Sequence, residues 1–206
     1  TVVDLSPLFY RIRDFDMKNK HYERIMEQTL SANLYRHSLN VAVAAAKLAI
    51  IYDADEDKAY LAGLVHDYAK GFSSQELDNK ITALGLRFDR ISTVNKKLLH
   101  APIGSALLQK DLSINDQEIL DAVKYHTTGH RNLGLLGKIV YLADYIEEGR
   151  TFSDVETVRQ LAYEDLDKAL LTVIDSTIIS IVNRGLLLHP RTIAFRNKIL
   201  AGILDR

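Results

Sequence analysis

The sequence contains no cysteine, so disulfide bonds, thiolate metal ligands and cysteine nucleophiles are all excluded. Any metal site in this chain must therefore use imidazole and carboxylate ligands. Proline and glycine are scarce, with three and ten residues among 206, as is typical of a mostly helical chain. No apolar run reaches about 18 residues, so the sequence predicts no membrane-spanning helix.

The chain also lacks a strong excess of either charge. Its formal net charge is -1, so electrostatics predicts neither a nucleic-acid-binding protein nor an acidic solvating one. The first residues lack the charged-then-apolar layout of a signal peptide, and we expect a cytoplasmic protein. The absence of a P-loop, a Gly-x-Gly-x-x-Gly motif and a Gly-x-Ser-x-Gly elbow leaves kinase, dehydrogenase and serine hydrolase functions without support.

What the sequence does contain is helical periodicity. Apolar residues recur at three- and four-residue intervals, for example at Val41, Ala45 and Leu48, and no alternating strand pattern of useful length appears. We therefore predict an all-α fold, a single bundle of about eight to ten helices over residues 21–206. Residues 1–20 are predicted to be an N-terminal extension of uncertain structure.

Two adjacent side chains that can bind a metal, His66 and Asp67, close one of these predicted helices. Such pairs arise often by chance, so the pair alone is weak evidence. Other residues of the same chemistry lie at the edges of apolar segments, namely His37, His100, His126 and Asp144. Asp144 is the most informative, because a carboxylate within an apolar helical face is costly to bury unless it is paired or coordinated.

These six residues are compatible with one metal ion or with two. First-row divalent metals accept imidazole nitrogen and carboxylate oxygen. Two of each kind around one ion would come from His37, His66, Asp67 and Asp144. His100 and His126 would then complete a second metal site or contact phosphate oxygens, and the sequence leaves both alternatives open. Any one histidine taken alone can equally be an ordinary core or surface residue.

The sequence motifs around these residues resemble those of one bacterial family. In chain order they are His66-Asp67-Tyr68-Ala69-Lys70, Leu99-His100-Ala101-Pro102-Ile103-Gly104, Tyr125-His126-Thr127-Thr128-Gly129, Ala143-Asp144-Tyr145-Ile146-Glu147, Gly149-Arg150 and Leu188-His189-Pro190-Arg191-Thr192. Together they resemble the YqeK family, whose members are HD-domain symmetrical diadenosine tetraphosphatases. The resemblance covers roughly residues 20–200. It departs from the expected pattern at Leu34, where a basic residue is expected and only Arg36 stands nearby.

The resemblance implies an HD-domain helical bundle that hydrolyses diadenosine tetraphosphate between its two central phosphates, giving two ADP. It also implies a divalent metal, with iron as the expected native ion and manganese as an alternative. The implied ligands are His37, His66, Asp67 and Asp144. A bound divalent metal lowers the pKa of its water, which would then attack one central phosphorus.

The strongly anionic phosphates also require cations. Lys70, one turn beyond Asp67, is predicted to reach a phosphate oxygen or to protonate the leaving oxygen. Arg150 and Arg191 are planar bidentate phosphate donors. The helix predicted to start at His189 offers free amides to a phosphate.

The predicted catalytic residues are Asp67, Lys70, His100 and His126. The predicted nucleotide and phosphate contacts are Asp67, Tyr68, Ala69, Lys70, His100, His126, Thr127, Asp144, Arg150, His189, Pro190, Arg191 and Thr192. The expected partner is a dinucleoside polyphosphate or another nucleotide, with no nucleic acid and no membrane. A homodimer stays open as an alternative to a monomer.

There are two alternatives to this function. The first is an HD-domain phosphohydrolase acting on nucleoside mono- or diphosphates. The second is a nucleotide sensor or protein-interaction module on an inactive HD scaffold. Such an inactive relative is expected to lose ligand positions, and the presence of all six candidate residues argues against it.

Overall fold

The computed structural model describes residues 19–206, so the predicted extension over residues 1–20 lies almost entirely outside the described part. Within residues 19–206 the backbone forms eleven α-helices, two short 3-10 helices and no strand. The all-α prediction is therefore confirmed, with one helix more than the eight to ten predicted. None of the helices in this range combines the length and apolar character needed to cross a membrane.

The helices follow one another with short connections. Their bounds are residues 19–29 (α1), Ala32–Ile51 (α2), Glu56–Val65 (α3), Ser74–Ala83 (α4), Arg90–Val94 (α5), His100–Leu112 (α6), Gln117–Tyr125 (α7), Leu135–Ile146 (α8), Val155–Glu164 (α9), Leu166–Asn183 (α10) and Pro190–Leu204 (α11), with 3-10 helices at Tyr68–Gly71 and Lys96–Leu98. The helix that periodicity did not predict is α5. At five residues it is too short to display a helical period.

Polar side chains cap the N-termini of several of these helices, as the sequence predicts. The Asp55 side chain accepts a hydrogen bond from the backbone N–H of Lys58 at the start of α3, and Asp116 caps α7 in the same way. Ser73 and Glu76 form a reciprocal capping box at the start of α4. These caps satisfy backbone amides that the helix itself leaves free, and so they fix where each helix begins.

The core is built where α2 and α3 pack closely together and both meet α8. A Cβ added at Gly63 would lie 2.8 Å from the Cα of Ala42 and 3.0 Å from the carbonyl oxygen of Val41. Glycine is therefore needed on α3 for the two backbones to approach this closely. The α2 residue at this contact, Ala42, has a small side chain and is fully buried. The close packing places His37 of α2 opposite the end of α3.

The C-terminal helix α11 supports the loop that follows α7. Gly129 in this loop has φ +65, and a Cβ there would lie 2.1 Å from Cδ1 of Phe195 on α11. Phe195 is almost fully buried and also packs edge-to-face against Tyr141 of α8, with ring centroids 5.4 Å apart. Because Gly129 satisfies both a left-handed backbone and a close contact, α11 sets the position of the loop after α7.

We predict that Gly63→Ala lowers the free energy of unfolding by about 1–3 kcal/mol, because the added methyl group forces α2 and α3 apart. The measurement is a urea unfolding curve. The matched control is Gly202→Ala on α11, where an added Cβ meets nothing within 4 Å. That change should leave stability unchanged or raise it by up to about 1 kcal/mol. Equal unfolding midpoints for the two variants would contradict the packing argument.

Candidate metal centre

Five helices bring the six predicted ligand-type side chains to one place. They come from the first third of α2, the end of α3, the start of α6, the end of α7 and the last turn of α8, and they are His37, His66, Asp67, His100, His126 and Asp144. Their ligand atoms fall into three overlapping groups, each within 4.8 Å: His37 with His66 and Asp67, His66 with His126 and Asp144, and Asp67 with His100 and His126. We call these six residues the His/Asp cluster.

Asp67 lies at the centre of the cluster, and its side chain is completely buried. Its Oδ2 atom is 3.3 Å from Nε2 of His66 and 3.8 Å from Nε2 of His37. Its Oδ1 atom is 3.3 Å from Nε2 of His100 and 3.6 Å from Nε2 of His126. Each carboxylate oxygen therefore faces a different pair of histidines.

The four histidines are oriented in the same way. The Nδ1 atom lies near the carbonyl oxygen three residues earlier in His66 (2.7 Å), His126 (2.8 Å) and His100 (2.6 Å). In His37 it lies 3.2 Å from the carboxylate of Glu147. Since these oxygens can only accept a hydrogen bond, Nδ1 carries the proton and Nε2 presents its lone pair to the cluster.

The arrangement fits a divalent metal. Nε2 of His66 and Oδ1 of Asp67 are buried and have no hydrogen-bond partner, although buried polar atoms are normally satisfied. The Nε2 atoms of His100 and His126 lie only 2.9 Å apart. Two lone pairs at this distance repel each other unless a cation lies between or beside them. Imidazole nitrogens and carboxylate oxygens directed at one point are the donor set that first-row divalent ions accept.

The protonation states of three cluster residues suit metal binding as well. At His66 burial opposes the charged form, but the adjacent Asp67 carboxylate raises the pKa of the ring. Burial disfavours the charged form of Asp67, but the adjacent His66 and the other histidines hold the pKa of its carboxyl below the usual range. Burial also opposes the charge on Asp144, whose pKa is nevertheless held low by His37, 3.1 Å away. Burial lowers the pKa of His126 to about 4. Near pH 7 the carboxylates are therefore ionised and His126 is neutral, as ligands must be.

Comparison with known proteins agrees with this geometry. A profile of the HD domain matches residues 34–149, a range that includes all six cluster residues. The chain belongs to the HD-domain family. It is 37% identical over 177 residues to the symmetrical bis(5'-nucleosyl)-tetraphosphatase of Bacillus subtilis, which covers 86% of this chain and 95% of that protein. The protein of the same name from Staphylococcus aureus is 35% identical over 173 residues, which is 83% of this chain and 89% of the relative. These relatives confirm the family predicted from the sequence motifs.

A solved structure shares the HD-domain fold over nearly the whole chain. It is the crystal structure of a predicted HD superfamily hydrolase involved in NAD metabolism from Clostridium acetobutylicum. The TM-score is 0.80 and the sequence identity 39%, with 94% of this chain and 97% of that chain covered.

Glu147 is a site residue that the sequence analysis missed. It is 4% exposed, and its Oε1 atom is 3.2 Å from Nδ1 of His37. Its Oε2 atom accepts hydrogen bonds from Asn40 Nδ2 at 2.8 Å and from the N–H of Gly149 at 2.5 Å. Glu147 therefore orients the His37 imidazole toward the His/Asp cluster. Its spacing could have revealed it, because residues three apart on a helix share a side and Glu147 follows Asp144 by three, directly after α8.

Arg159 of α9 fixes the turn that carries Glu147. Its guanidinium donates hydrogen bonds to the carbonyl oxygens of Ile146 (2.7 Å), Glu147 (2.6 Å) and Arg150 (3.0 Å). The carbonyl of Ile146 is in the last turn of α8, where the helix leaves its oxygens without internal partners, and the other two lie in the turn that follows. The sequence contains no motif that links Arg159 to the site, since the contact exists only once α9 has packed against α8.

Two of the predicted phosphate-binding cations flank the cluster. Lys70 Nζ is 2.7 Å from Oδ2 of Asp67, and its side chain is 38% exposed. Arg150 donates to Oδ1 of Asp144 at 2.7 Å and to the Asp144 carbonyl at 3.0 Å, and its side chain is 39% exposed. Each cation touches a cluster carboxylate while part of it faces solvent. A phosphate group at the cluster would therefore meet both positive charges.

The neighbouring predicted contacts divide into two kinds. Thr127 and Ala69 line the openings beside the cluster, and the Thr127 hydroxyl is buried without a hydrogen-bond partner. Tyr68 instead belongs to the core, where it packs edge-to-face against Phe72 with ring centroids 5.2 Å apart. Leu34, at the position where a basic residue was expected, also packs against the core.

The structure does not bring the predicted segment His189–Thr192 to the openings that the cluster lines. His189 accepts the backbone N–H of Arg191 at 3.1 Å and so caps α11 with its own side chain. Its other ring nitrogen lies 3.2 Å from Oδ2 of Asp89. Arg191 sits 5.9 Å from the Tyr125 ring and faces a separate cavity with Asp89. The segment therefore anchors α11, and its phosphate contact stays a prediction.

We predict that His66→Ala and Asp144→Ala each abolish stable metal binding, because each removes a donor that a shared ion needs. The measurement is elemental analysis of freshly purified protein, expressed as metal per chain. His21→Ala is the matched control, since this histidine is exposed and lies outside the cluster. Full metal occupancy in Asp144→Ala, with an unchanged circular dichroism spectrum, would show that the ligand assignment is wrong.

We also predict that Glu147→Gln weakens metal affinity about 10–100-fold, because the neutral amide holds the His37 imidazole less firmly. Competition with a chelator measures this affinity. The adjacent Glu148 is exposed and supplies the control Glu148→Gln, which should bind metal like the unaltered protein. Equal affinities in the two variants would remove Glu147 from the site.

Proposed function

We propose that this chain is a metal-dependent phosphohydrolase that cleaves diadenosine tetraphosphate between its two central phosphates and releases two ADP. The observation that carries the proposal is the buried cluster around Asp67, with Lys70 and Arg150 beside it. The chemistry of the substrate is supported by the names of the relatives, since symmetrical bis(5'-nucleosyl)-tetraphosphatases align with most of the chain.

The proposed metal ligands are His37, His66, Asp67 and Asp144. His100 and His126 face the second oxygen of Asp67, which supports a second ion held by these three residues. A divalent ion held here supplies a water molecule of lowered pKa as the nucleophile. We propose iron as the native ion and manganese as a working replacement, because both accept nitrogen and oxygen ligands and the family resemblance points to iron.

The side chains of this protein handle the charge and the protons of the reaction. Lys70 and Arg150 neutralise the phosphate oxygens that lie over the cluster. Thr127 has an unpartnered hydroxyl that can donate to one of them. Water oxygen adds to one central phosphorus while the bond from that phosphorus to the bridging oxygen breaks. The attacking water loses a proton to solvent, and Lys70 can give a proton to the leaving oxygen. Both products are ADP because the broken bond lies between the two central phosphates.

Three further expectations stay predictions from the sequence. They are a cytoplasmic location, the absence of a nucleic-acid partner, and a homodimer as an alternative to a monomer. None of them is needed for the proposed reaction, which uses residues of a single chain.

We expect purified protein loaded with iron(II) or manganese(II) to convert diadenosine tetraphosphate to ADP as the sole product. Ion-exchange chromatography of the products measures this, and Asp144→Ala protein serves as the inactive control because it lacks a ligand carboxylate. Release of ATP and AMP would contradict symmetric cleavage. Tight nucleotide binding without turnover of any nucleotide would instead support a sensor on an inactive scaffold.

A further inference from the structure

Two cavities open on either side of the His/Asp cluster. The first has a volume of about 650 Å³, lies beside α4, and includes Lys70 and His100 in its lining. The second has a volume of about 340 Å³, lies between α8 and α10, and includes Asp144 and Arg150. We call them the α4 cavity and the α10 cavity. Both volumes fall within the range of about 300–1,000 Å³ that is usual for small-ligand pockets.

The two cavities meet at Thr127. This residue lines both of them, and its buried hydroxyl has no hydrogen-bond partner. On one side of it stands His100, which faces the α4 cavity, and on the other His126, which faces the α10 cavity. A ligand whose phosphates lie over the cluster can therefore extend in both directions.

The α4 cavity combines an apolar wall with a cationic rim. Phe72, Leu77 and Ile81 form the wall, and all three are only partly buried. Lys96 and Lys97 are exposed and stand at the rim, on the 3-10 helix that precedes His100. An apolar wall suits a nucleobase, and neighbouring ammonium groups suit the phosphates attached to it.

The α10 cavity has an aromatic wall instead. Tyr145 and Phe152 pack edge-to-face with ring centroids 4.6 Å apart, and both line the cavity. Phe152 is 37% exposed, although it stands beside the cluster residues Asp144 and His126. A partly exposed aromatic ring next to bound phosphates is a platform on which a base can stack. Arg150 supplies the cation on this side.

We propose that the α4 and α10 cavities are two nucleoside subsites, one for each half of the dinucleotide substrate. This inference rests on the proposed function. With one nucleoside in each cavity, the middle of the polyphosphate lies over the cluster, so the bond that reaches the metal centre is the central one. Symmetric cleavage then follows from the position of the cluster between the two cavities. The cavities differ in volume and in their cations, so the two halves bind with unequal affinity.

Binding of the product tests the number of subsites. Equilibrium dialysis of the full chain, loaded with manganese(II), should show two ADP molecules bound per chain with different affinities. The tighter site belongs to the larger cavity with three lysines and should weaken in Lys96→Glu. The matched control Lys198→Glu changes an exposed lysine that lies in neither cavity. Saturation at one ADP per chain would overturn the proposal.

Kinetics tests whether both walls hold the substrate. Phe72→Ala and Phe152→Ala should each raise the KM for diadenosine tetraphosphate about tenfold, with kcat little changed, because each removes a stacking partner from one base. Tyr163→Ala removes an aromatic ring that is 44% exposed and lines neither cavity, and its KM should match that of the unaltered protein. Because Lys96 is exposed, Lys96→Glu tests the α4 cavity even where Phe72→Ala does not fold.

The outcomes separate this inference from the function on which it rests. If the unaltered protein fails to release ADP from diadenosine tetraphosphate, the proposed function is wrong. If it releases ADP but the changes in one cavity leave KM unaltered, the function stands and that cavity is not a nucleoside subsite.

Discussion

Asp67 is a fully buried carboxylate, and the arrangement of the surrounding helices depends on satisfying it. An isolated charge in such a position is strongly disfavoured, so the chain must bring compensating groups to it. The ammonium group of Lys70 is one such group, and the four imidazoles, two facing each oxygen, would hold a shared cation as another. Three of these side chains, His37, His100 and His126, come from three other helices, so the bundle cannot loosen at this point without exposing an unpaired charge.

The orientation of the histidines depends on where the helices end. His66 follows directly on α3, and His126 directly on α7, where the last carbonyl oxygens have no partner within the helix. In both residues the ring Nδ1–H turns back to the carbonyl three positions earlier and satisfies it. The same bond settles the tautomer and leaves Nε2 free for the centre. One local interaction therefore completes the helix end and orients a proposed metal ligand.

Contacts farther out hold this centre in place, and each comes from a part of the chain distant in sequence. Glu147 binds His37 across 110 residues, and Arg159 secures the turn in which Glu147 lies. Phe195 of α11 packs against Gly129 and so sets the loop that follows His126. The same loop contributes to both cavities beside the cluster, because Thr127 lines each of them. These contacts position the side chains that line the cavities as well as the proposed metal ligands.

The sequence by itself determined the elements and the donor chemistry. Helical periodicity, the caps at Asp55 and Asp116, and the carboxylate of Asp144 within an apolar run are local features, so they could be interpreted without knowing how the chain folds. Only the tertiary structure decided which residues meet. It brought His100 and His126 within 2.9 Å, gave Glu147 its role beside His37, and used His189 as a helix cap beside Asp89 rather than placing it at the cluster. The physical reason is that a helical period indicates which face of a helix is buried. It does not indicate what that face packs against, because the partner is set by packing between helices that are far apart in the chain.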